Sequence, residues 1–152
     1  MTPTATAIRP DLMWGLLHAF RWLDRALQEN LAARGYARVG ATESQIMFLV
    51  AAGTDRPAEI ARQLGLSRQA IHKATTVLAE RKLLSLADDP DDGRGKRIVF
   101  RAEGEAQRRD ALEIIERLER ELEARIGKRA LDACARALRA DWGEPPIFDE
   151  SP

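Results

Sequence analysis

Side chains that could recognise nucleic-acid bases and phosphates gather on one arc of a predicted helix near the middle of the chain. At about 100° per residue, five side chains of residues 68–80 fall on this arc that are basic or hydrogen-bonding, and none of the five is acidic. Its members are Arg68, Gln69, His72, Lys73 and Thr76. Arginine and lysine suit guanine edges and phosphates, and glutamine can make a paired contact with adenine. The pattern favours a DNA-reading surface; the alternative is a solvated helix face with no DNA role.

A tight turn between two short helices would position that arc. Ile60, Ala61 and Leu64 give the first helix an apolar face, and Gly65 ends it. Ser67 is placed to cap the second helix, since its side-chain oxygen can accept a bond from an otherwise unpaired backbone N–H. The apolar side of the second helix, opposite the arc, consists of Ile71, Ala74, Thr75 and Leu78. Two helices joined in this way form a helix-turn-helix, whose second helix enters a DNA major groove.

An extended hairpin is predicted directly after the second helix. Residues 84–87 alternate between leucine and smaller side chains, residues 98–100 are rich in β-formers, and residues 88–97 are dense in turn-forming types. A β-hairpin at this place makes the domain a winged helix. Arg94, flanked by two glycines, is predicted at the hairpin tip, where a narrow minor groove would attract it. Its alternative role is to neutralise the acidic residues of the same loop.

Further helices are predicted on both sides of the winged helix. Leucine and phenylalanine recur at three- and four-residue steps through residues 10–34, and narrower apolar stripes run through residues 104–126 and 128–142. Thr42 and Gln45 have the spacing of a capping box, which predicts that Thr42 caps the helix between the first stripe and the helix-turn-helix. Apolar stripes outside a compact domain need a packing partner, and a second copy of the chain is the economical one.

A second line of residues lies beside the apolar stripe of the first helix at one-turn spacing. Its members are Trp14, His18, Trp22 and Arg25. These side chains could line a pocket for an aromatic acid, with arginine or histidine meeting the carboxylate of the ligand. The alternative is that the tryptophans fill the core of a dimer.

Composition narrows the classes of function. The chain has 152 residues, of which 45% are apolar and 32% charged, as is typical of a soluble, helix-rich protein. No apolar run approaches the roughly 20 residues of a membrane span, and the first ten residues lack the apolar segment of a secretory signal. The net charge is zero, whereas residues 57–101 carry nine Lys/Arg against six Asp/Glu. This distribution favours a site-specific nucleic-acid binder over a general one.

Catalytic and metal chemistry are not expected. One cysteine and two histidines leave no cluster with metal-ligand spacing, and no cofactor is expected. The sequence has no Ser/His/Asp set and no phosphate-cradling glycine loop, so we do not expect an enzyme. Cys134 lies on an apolar stripe and is interpreted as a small core or interface residue, with a redox sensor as the alternative. A single cysteine also suits the reducing cytoplasm, where we expect the protein.

The chain resembles the MarR family of bacterial transcriptional regulators over about residues 10–142. The resemblance rests on the runs EIARQLGLSRQAIHKATTVLAERKLL and DDPDDGRGKRIVFRAEG, the second being similar to the family's D-P-x-D-x-R hairpin. It implies that Asp92 orients Arg94 in the minor groove, and that Ser67 and the arc face the major groove or its phosphates. It also implies a dimer built from the N- and C-terminal helices, often with an anionic aromatic ligand. The family usually has threonine where Arg101 stands, which makes the start of the next helix less secure.

Together, the residue patterns and the resemblance predict a mainly α chain with a small β-hairpin wing. Its expected parts are an N-terminal dimerisation helix (1–34), a winged helix-turn-helix region (35–103), C-terminal dimerisation helices (104–142) and a tail (143–152), all in one compact chain. The expected function is a homodimeric, sequence-specific regulator of transcription that binds double-stranded DNA, a repressor reading a pseudo-palindromic operator. Release by a small aromatic or anionic effector is a further option. A winged helix that mediates protein interactions without specific DNA binding is the alternative.

Overall fold

The computed structural model describes residues 11–148 of the chain, apart from the side chain of Arg94. Within that range, six helices and one two-stranded sheet follow one another. In chain order they are α1 (Asp11–Ala33), α2 (Ala41–Ala51), α3 (Pro57–Leu64), α4 (Arg68–Glu80), β1 (Leu84–Asp89), β2 (Asp92–Phe100), α5 (Ala102–Ile126) and α6 (Lys128–Arg139). This architecture confirms the prediction of a mainly α chain with a β-hairpin wing. The beginning of the predicted N-terminal segment and the end of the predicted tail lie outside the described residues.

The chain divides into two compact units, with the division inside α5. The first unit, Met1–Ile115, contains α1 to α4, the hairpin and the first half of α5, and the second, Glu116–Pro152, contains the rest of α5 and α6. Within α1, Gln28 and Leu31 are buried, whereas Leu12 near the start of the helix is exposed. Of the helices in the described range, none is long and apolar enough to cross a membrane.

Six fully buried aliphatic side chains form the centre of the first unit's core, where α2, α3, α4 and the hairpin meet. They are Ile46, Ile60, Ile71, Leu78, Leu84 and Ile98. Removing each such side chain from water stabilises the fold by about 1.5–3 kcal/mol. α4 supplies two of them and also buries Ala74 and Thr75, so the whole predicted apolar side of this helix packs inward. The opposite side of α4 is therefore directed away from the core.

The turn between α3 and α4 has the local structure that the sequence predicts. Gly65 ends α3 with φ of 63°, a left-handed conformation that glycine adopts without a Cβ penalty. The N–H of Leu66 then donates to the carbonyl of Ala61 at 3.0 Å. Ser67 Oγ accepts a hydrogen bond from the N–H of Ala70 at 3.1 Å, which confirms the predicted cap. Two short-range bonds thus fix where α4 begins.

The hairpin places Arg94 differently from the sequence prediction. β1 and β2 pair antiparallel from Leu84 opposite Phe100 to Asp88 opposite Lys96, but the next pair is Asp89 with Asp92. Residues 93–95 are therefore left out of the ladder, and we call them the wing bulge. The chain reverses at residues 90–91, so Arg94 lies in the wing bulge rather than at the tip. Here the N–H of Asp91 donates to Asp89 Oδ1 at 3.0 Å, which closes the turn before the glycines are reached.

The predicted capping box at the start of α2 is wrong. The helix begins two residues earlier than predicted, with Gly40 in place of Thr42 as its N-cap and no side-chain cap. Contacts from α1 hold this region instead: Gln28 Oε1 accepts from the N–H of Val39 at 3.3 Å, and Ser44 Oγ donates to Asp24 Oδ1 at 2.8 Å. Thr42 lies inside the first turn and is not needed as a cap.

Lys82 offers a test of backbone strain in the segment between α4 and β1. Its φ is 59°, a left-handed conformation that costs a non-glycine residue about 1–2 kcal/mol. Glycine removes that cost but loses more conformational freedom on folding, by about 0.5–1 kcal/mol. We therefore expect Lys82→Gly to raise the free energy of unfolding by about 0.5–1 kcal/mol, measured by urea denaturation. Lys82→Ala keeps the Cβ and should leave stability within about 0.5 kcal/mol of the parent; equal stability of the two variants would contradict the strain.

Candidate nucleic-acid interface

The arc on α4 is exposed in the structure. All five of its members lie on the solvent side of the helix, opposite the buried side described above. These residues are Arg68, Gln69, His72, Lys73 and Thr76. Because α4 is capped at one end and packed along its inner side, the five side chains project from a rigid support. The arc is therefore exposed on a firmly packed helix, as the prediction of a DNA-reading surface requires.

The two basic residues of the arc are available to an incoming anion. Nearby cations are already occupied: Arg62 pairs with Glu59 on α3, and Arg97 pairs with Asp89 in the hairpin. Within the part of the chain that the structure describes, no acidic side chain pairs with Arg68 or Lys73. Their charges can therefore serve phosphates or guanine edges without first breaking an ion pair.

The hydroxyl groups of the arc have restricted roles. Thr76 Oγ1 donates to the carbonyl of His72 at 2.9 Å, so its proton is used within the helix and the oxygen can only accept. In Ser67 the hydroxyl oxygen is the occupied part, because it accepts from the N–H of Ala70 in the cap. Its proton remains free to donate. Ser67 is therefore suited to a phosphate oxygen and Thr76 to a donor on a base edge.

Of the two wing residues predicted to contact DNA, Asp92 pairs with Asp89 where the wing bulge begins. The backbone of Arg94 lies at the centre of the wing bulge, and its side chain is outside the described part of the structure. Asp92 is exposed and folds over the bulge: a Cβ added at Gly95 would meet Asp92 Oδ2 at 3.0 Å. Lys96, across the hairpin from Asp88, forms an ion pair with it and holds the pKa of the Asp88 carboxyl below its usual range.

One acidic residue of the hairpin is buried. The run DDPDD brings four aspartates together in the sequence, but the side chain of Asp89 is only 2% exposed. Arg56 Nε and Arg97 Nε each lie 2.8 Å from its carboxylate, on different oxygens. Neither the alternation of β1 nor the spacing of the loop signals this burial, because Arg56 is 33 residues away in sequence.

The four residues predicted to bind an effector lie along α1. Trp14 is 66% exposed, His18 is also exposed, and Trp22 is partly buried. Arg25 Nε donates to Glu29 Oε1 at 2.9 Å, so a ligand carboxylate would have to displace Glu29. A cavity of about 400 Å³ between the α2–α3 loop, α3 and Arg97, and one of about 220 Å³ between α4 and β1, include none of the four.

Two further side-chain sets bear on the predicted chemistry. Cys134, interpreted from the sequence as a core or interface residue, is exposed on α6, so it does not belong to a core of the single chain. Among residues 11–148, no three His, Cys, Asp or Glu side chains are grouped so that they could hold a metal ion.

Comparison with known proteins gives the family of the winged helix. Residues 39–95, which run from the approach to α2 through the wing bulge, match the model of the MarR family. This winged-helix region belongs to the MarR family. No curated protein matches the chain in sequence.

Solved structures with the same fold extend over most of the chain. A MarR-family transcriptional regulator from Rhodococcus sp. RHA1 is 20% identical, with 89% of this chain and 94% of that chain covered and a TM-score of 0.67. A mutant MarR from E. coli, in complex with operator DNA, is 17% identical (85% and 92% covered, TM-score 0.64). CouR from Rhodococcus jostii RHA1, bound to p-coumaroyl-CoA, is 22% identical (89% and 94% covered, TM-score 0.66). At these identities the likeness establishes a MarR fold.

Proposed function

We propose that the chain is a homodimeric transcriptional regulator of the cytoplasm that binds a pseudo-palindromic site in double-stranded DNA and acts as a repressor. The observation that carries this proposal is the exposed arc on α4, with two cations that no described acidic side chain neutralises. A second support is the E. coli relative, whose structure holds operator DNA. Binding, rather than catalysis, is the proposed activity.

The proposed DNA contacts follow from where the residues lie on α4 and on the wing. Arg68, Gln69, His72 and Lys73 would read bases or meet phosphates in the major groove, with Ser67 and Thr76 in the hydrogen-bonding roles given above. Asp92 would orient Arg94, and Arg94 would enter the adjacent minor groove. Two such modules about 34 Å apart would contact successive major grooves on one side of the duplex.

Exposed apolar side chains support the proposed dimer. In the first unit they occur on the first half of α1 and at Leu112 of α5, and in the second unit on the end of α5, on α6 and on the segment after it. The exposed set comprises Leu12, Met13, Trp14, Leu17, Phe20, Leu112, Ile126, Leu138, Trp142, Ile147 and Phe148. Large apolar side chains exposed in such number often mark an interaction site. We assign residues 1–34 and 104–142 to dimerisation, residues 35–103 to DNA binding and residues 143–152 to a tail.

Release by a small aromatic or anionic effector is the remaining part of the proposal. Its supports are the aromatic and basic residues along α1 and the relative that binds p-coumaroyl-CoA. The proposed effector-contacting residues are Trp14, His18, Trp22 and Arg25. Candidate aromatic acids should quench tryptophan fluorescence and release bound DNA at the same concentrations. Release without quenching would place the ligand away from the tryptophans and favour their role in a dimer core.

Replacing Arg94 by alanine tests the proposed wing contact. We expect Arg94→Ala to weaken specific DNA binding by about 1–3 kcal/mol, roughly 5- to 150-fold, which is the usual scale for one lost base contact. Fluorescence anisotropy with a labelled duplex measures the change. Lys96→Ala is a matched control. It removes a cation from the same strand, but this cation is already paired with Asp88. If Arg94→Ala binds as tightly as the parent, the wing does not enter the groove.

A further inference from the structure

A carboxylate at the end of β1 is withdrawn from solvent although its neighbours in the loop are not. The side chain of Asp89 is 2% exposed, compared with 87% for Asp88 and 70% for Asp91. Burying a carboxylate is unfavourable unless cations and hydrogen-bond donors compensate for the lost water. Three groups do so here, and they come from different parts of the fold.

Two of these groups belong to the hairpin. Arg97 of β2 places its Nε 2.8 Å from Asp89 Oδ1, and the same guanidinium reaches Asp91 Oδ2 at 2.5 Å. The backbone N–H of Asp91 also donates to Asp89 Oδ1, at 3.0 Å. Asp89 therefore holds the chain reversal and the facing strand in one arrangement.

The third group comes from outside the hairpin. Arg56, which immediately precedes α3, donates from Nε to Asp89 Oδ2 at 2.8 Å. Its neighbour Asp55 binds β2 as well: the Asp55 carbonyl accepts from the N–H of Ile98 at 2.8 Å, and its carboxylate lies 3.7 Å from Arg97. Residues 55–56 thus tie the wing to the helices that carry the DNA-reading arc.

Asp89 also contacts the wing bulge directly. It is the residue opposite Asp92, where the bulge begins, and a Cβ added at Gly95 would come within 3.2 Å of Asp89 Cβ. Burial disfavours the charged carboxylate, but the Asp91 N–H and the Arg56 guanidinium outweigh it and hold the pKa of Asp89 below its ordinary value. Asp89 is therefore an anion at neutral pH, with one oxygen on Arg56 and its backbone against the bulge.

We propose that Asp89 is a positioning residue for the wing, which fixes the bulge carrying Arg94 relative to the helix-turn-helix through its contacts with Arg56 and Arg97. This inference rests on the proposed DNA-binding function. Without the Asp89 charge, the end of the hairpin samples more orientations, and Arg94 must be ordered when DNA binds. Ordering a side chain and its loop at an interface weakens binding by a moderate factor, on the order of 5- to 30-fold.

A double-mutant cycle in the full chain tests the inference. Asp89→Asn keeps the size of the side chain and removes its charge. We expect it to raise the Kd for a specific duplex by roughly 5- to 30-fold in the parent, but by less than about 2-fold in the Arg94→Ala background, where no wing arginine remains to be positioned. A merely structural role would weaken both backgrounds by the same factor, and that result would overturn the inference.

A second variant tests the link to the body of the protein and keeps the inference testable if Asp89→Asn does not fold. Arg56→Gln changes a half-exposed side chain and leaves the Asp89–Arg97 pair within the hairpin. Arg56→Gln should likewise raise the Kd in the parent and have little effect on it in the Arg94→Ala background. Arg125→Gln, which breaks the exposed Arg125–Glu121 pair on α5, is the matched control: any change that it causes in the Kd should be the same with and without Arg94.

The outcomes separate this inference from the proposed function. If the parent chain binds no duplex specifically, the proposed function fails and the inference fails with it. If the parent binds and Arg94→Ala weakens it, but Asp89→Asn and Arg56→Gln bind like the parent, the inference alone is overturned.

Discussion

Replacing Arg68 and Lys73 together by glutamate should nearly abolish specific DNA binding. Each side chain lies on the exposed arc of α4, and each lost base or phosphate contact is worth about 1–3 kcal/mol. Two such losses amount to about 2–6 kcal/mol, roughly 30- to 25,000-fold in Kd, and the new negative charges add repulsion from phosphates. The dependence of binding on salt concentration should also become less steep, because fewer counterions are released.

The fold should tolerate this double substitution. Both residues are exposed, and a glutamate at Arg68, the first residue of α4, would complement the positive end of the helix dipole. The Tm of the doubly substituted protein should therefore stay close to that of the parent. Arg109→Glu with Arg117→Glu makes the same change in net charge at exposed positions of α5 and serves as the control, provided that size-exclusion chromatography shows the same oligomeric state as the parent. Equal weakening by the two pairs would mean that net charge, and not the arc, governs binding.

Gly104→Ala should strongly destabilise the folded chain. A Cβ at this position in α5 would lie 1.9 Å from the carbonyl oxygen of Leu83, which already accepts the N–H of Arg101 at 3.0 Å. Both the added Cβ and the Leu83 carbonyl are fixed to the backbone, so α5 must move away from the segment after α4. We expect a loss of about 3 kcal/mol in the free energy of unfolding, or roughly 6–12 °C in Tm.

Gly15→Ala is the matched control for that prediction. Gly15 lies inside α1, and nothing lies within 4 Å of the Cβ that alanine would add. Alanine is a better helix former than glycine by about 0.5–1 kcal/mol, so this variant should be slightly more stable than the parent. Calorimetry of the two variants measures both changes in stability, the expected loss for Gly104→Ala and the expected gain for Gly15→Ala. A Gly104→Ala protein as stable as the parent would contradict the close approach of α5 to Leu83.

The helix-turn-helix could be predicted from sequence because its determinants are local. Gly65 and Ser67 act on backbone groups within four residues of themselves, and the apolar side of α4 repeats with the period of the helix. The match of residues 39–95 to the MarR family agrees with the motifs quoted from that stretch. For these elements, propensity, periodicity and tertiary packing favour the same structure.

The end of the wing and the start of α2 could not be predicted in the same way. The burial of Asp89 depends on Arg56, a partner far away in sequence, and nothing in the run DDPDDGRGKR distinguishes one aspartate from the other three. Thr42 and Gln45 carry the pattern of a cap, yet contacts from α1 decide where α2 begins. In both cases a tertiary contact overrides a correctly recognised local pattern.

Selection of bound sequences from a pool of random duplex DNA tests the central claim most directly. The proposed function predicts enrichment of an inverted repeat whose half-site centres are about 10–10.5 base pairs apart, one turn of the duplex. The Arg68→Glu, Lys73→Glu protein should enrich no sequence from the same pool. Recovery of no preferred sequence by the parent, or of the same sequence by both proteins, would contradict DNA reading by α4 and favour a winged helix that serves another partner.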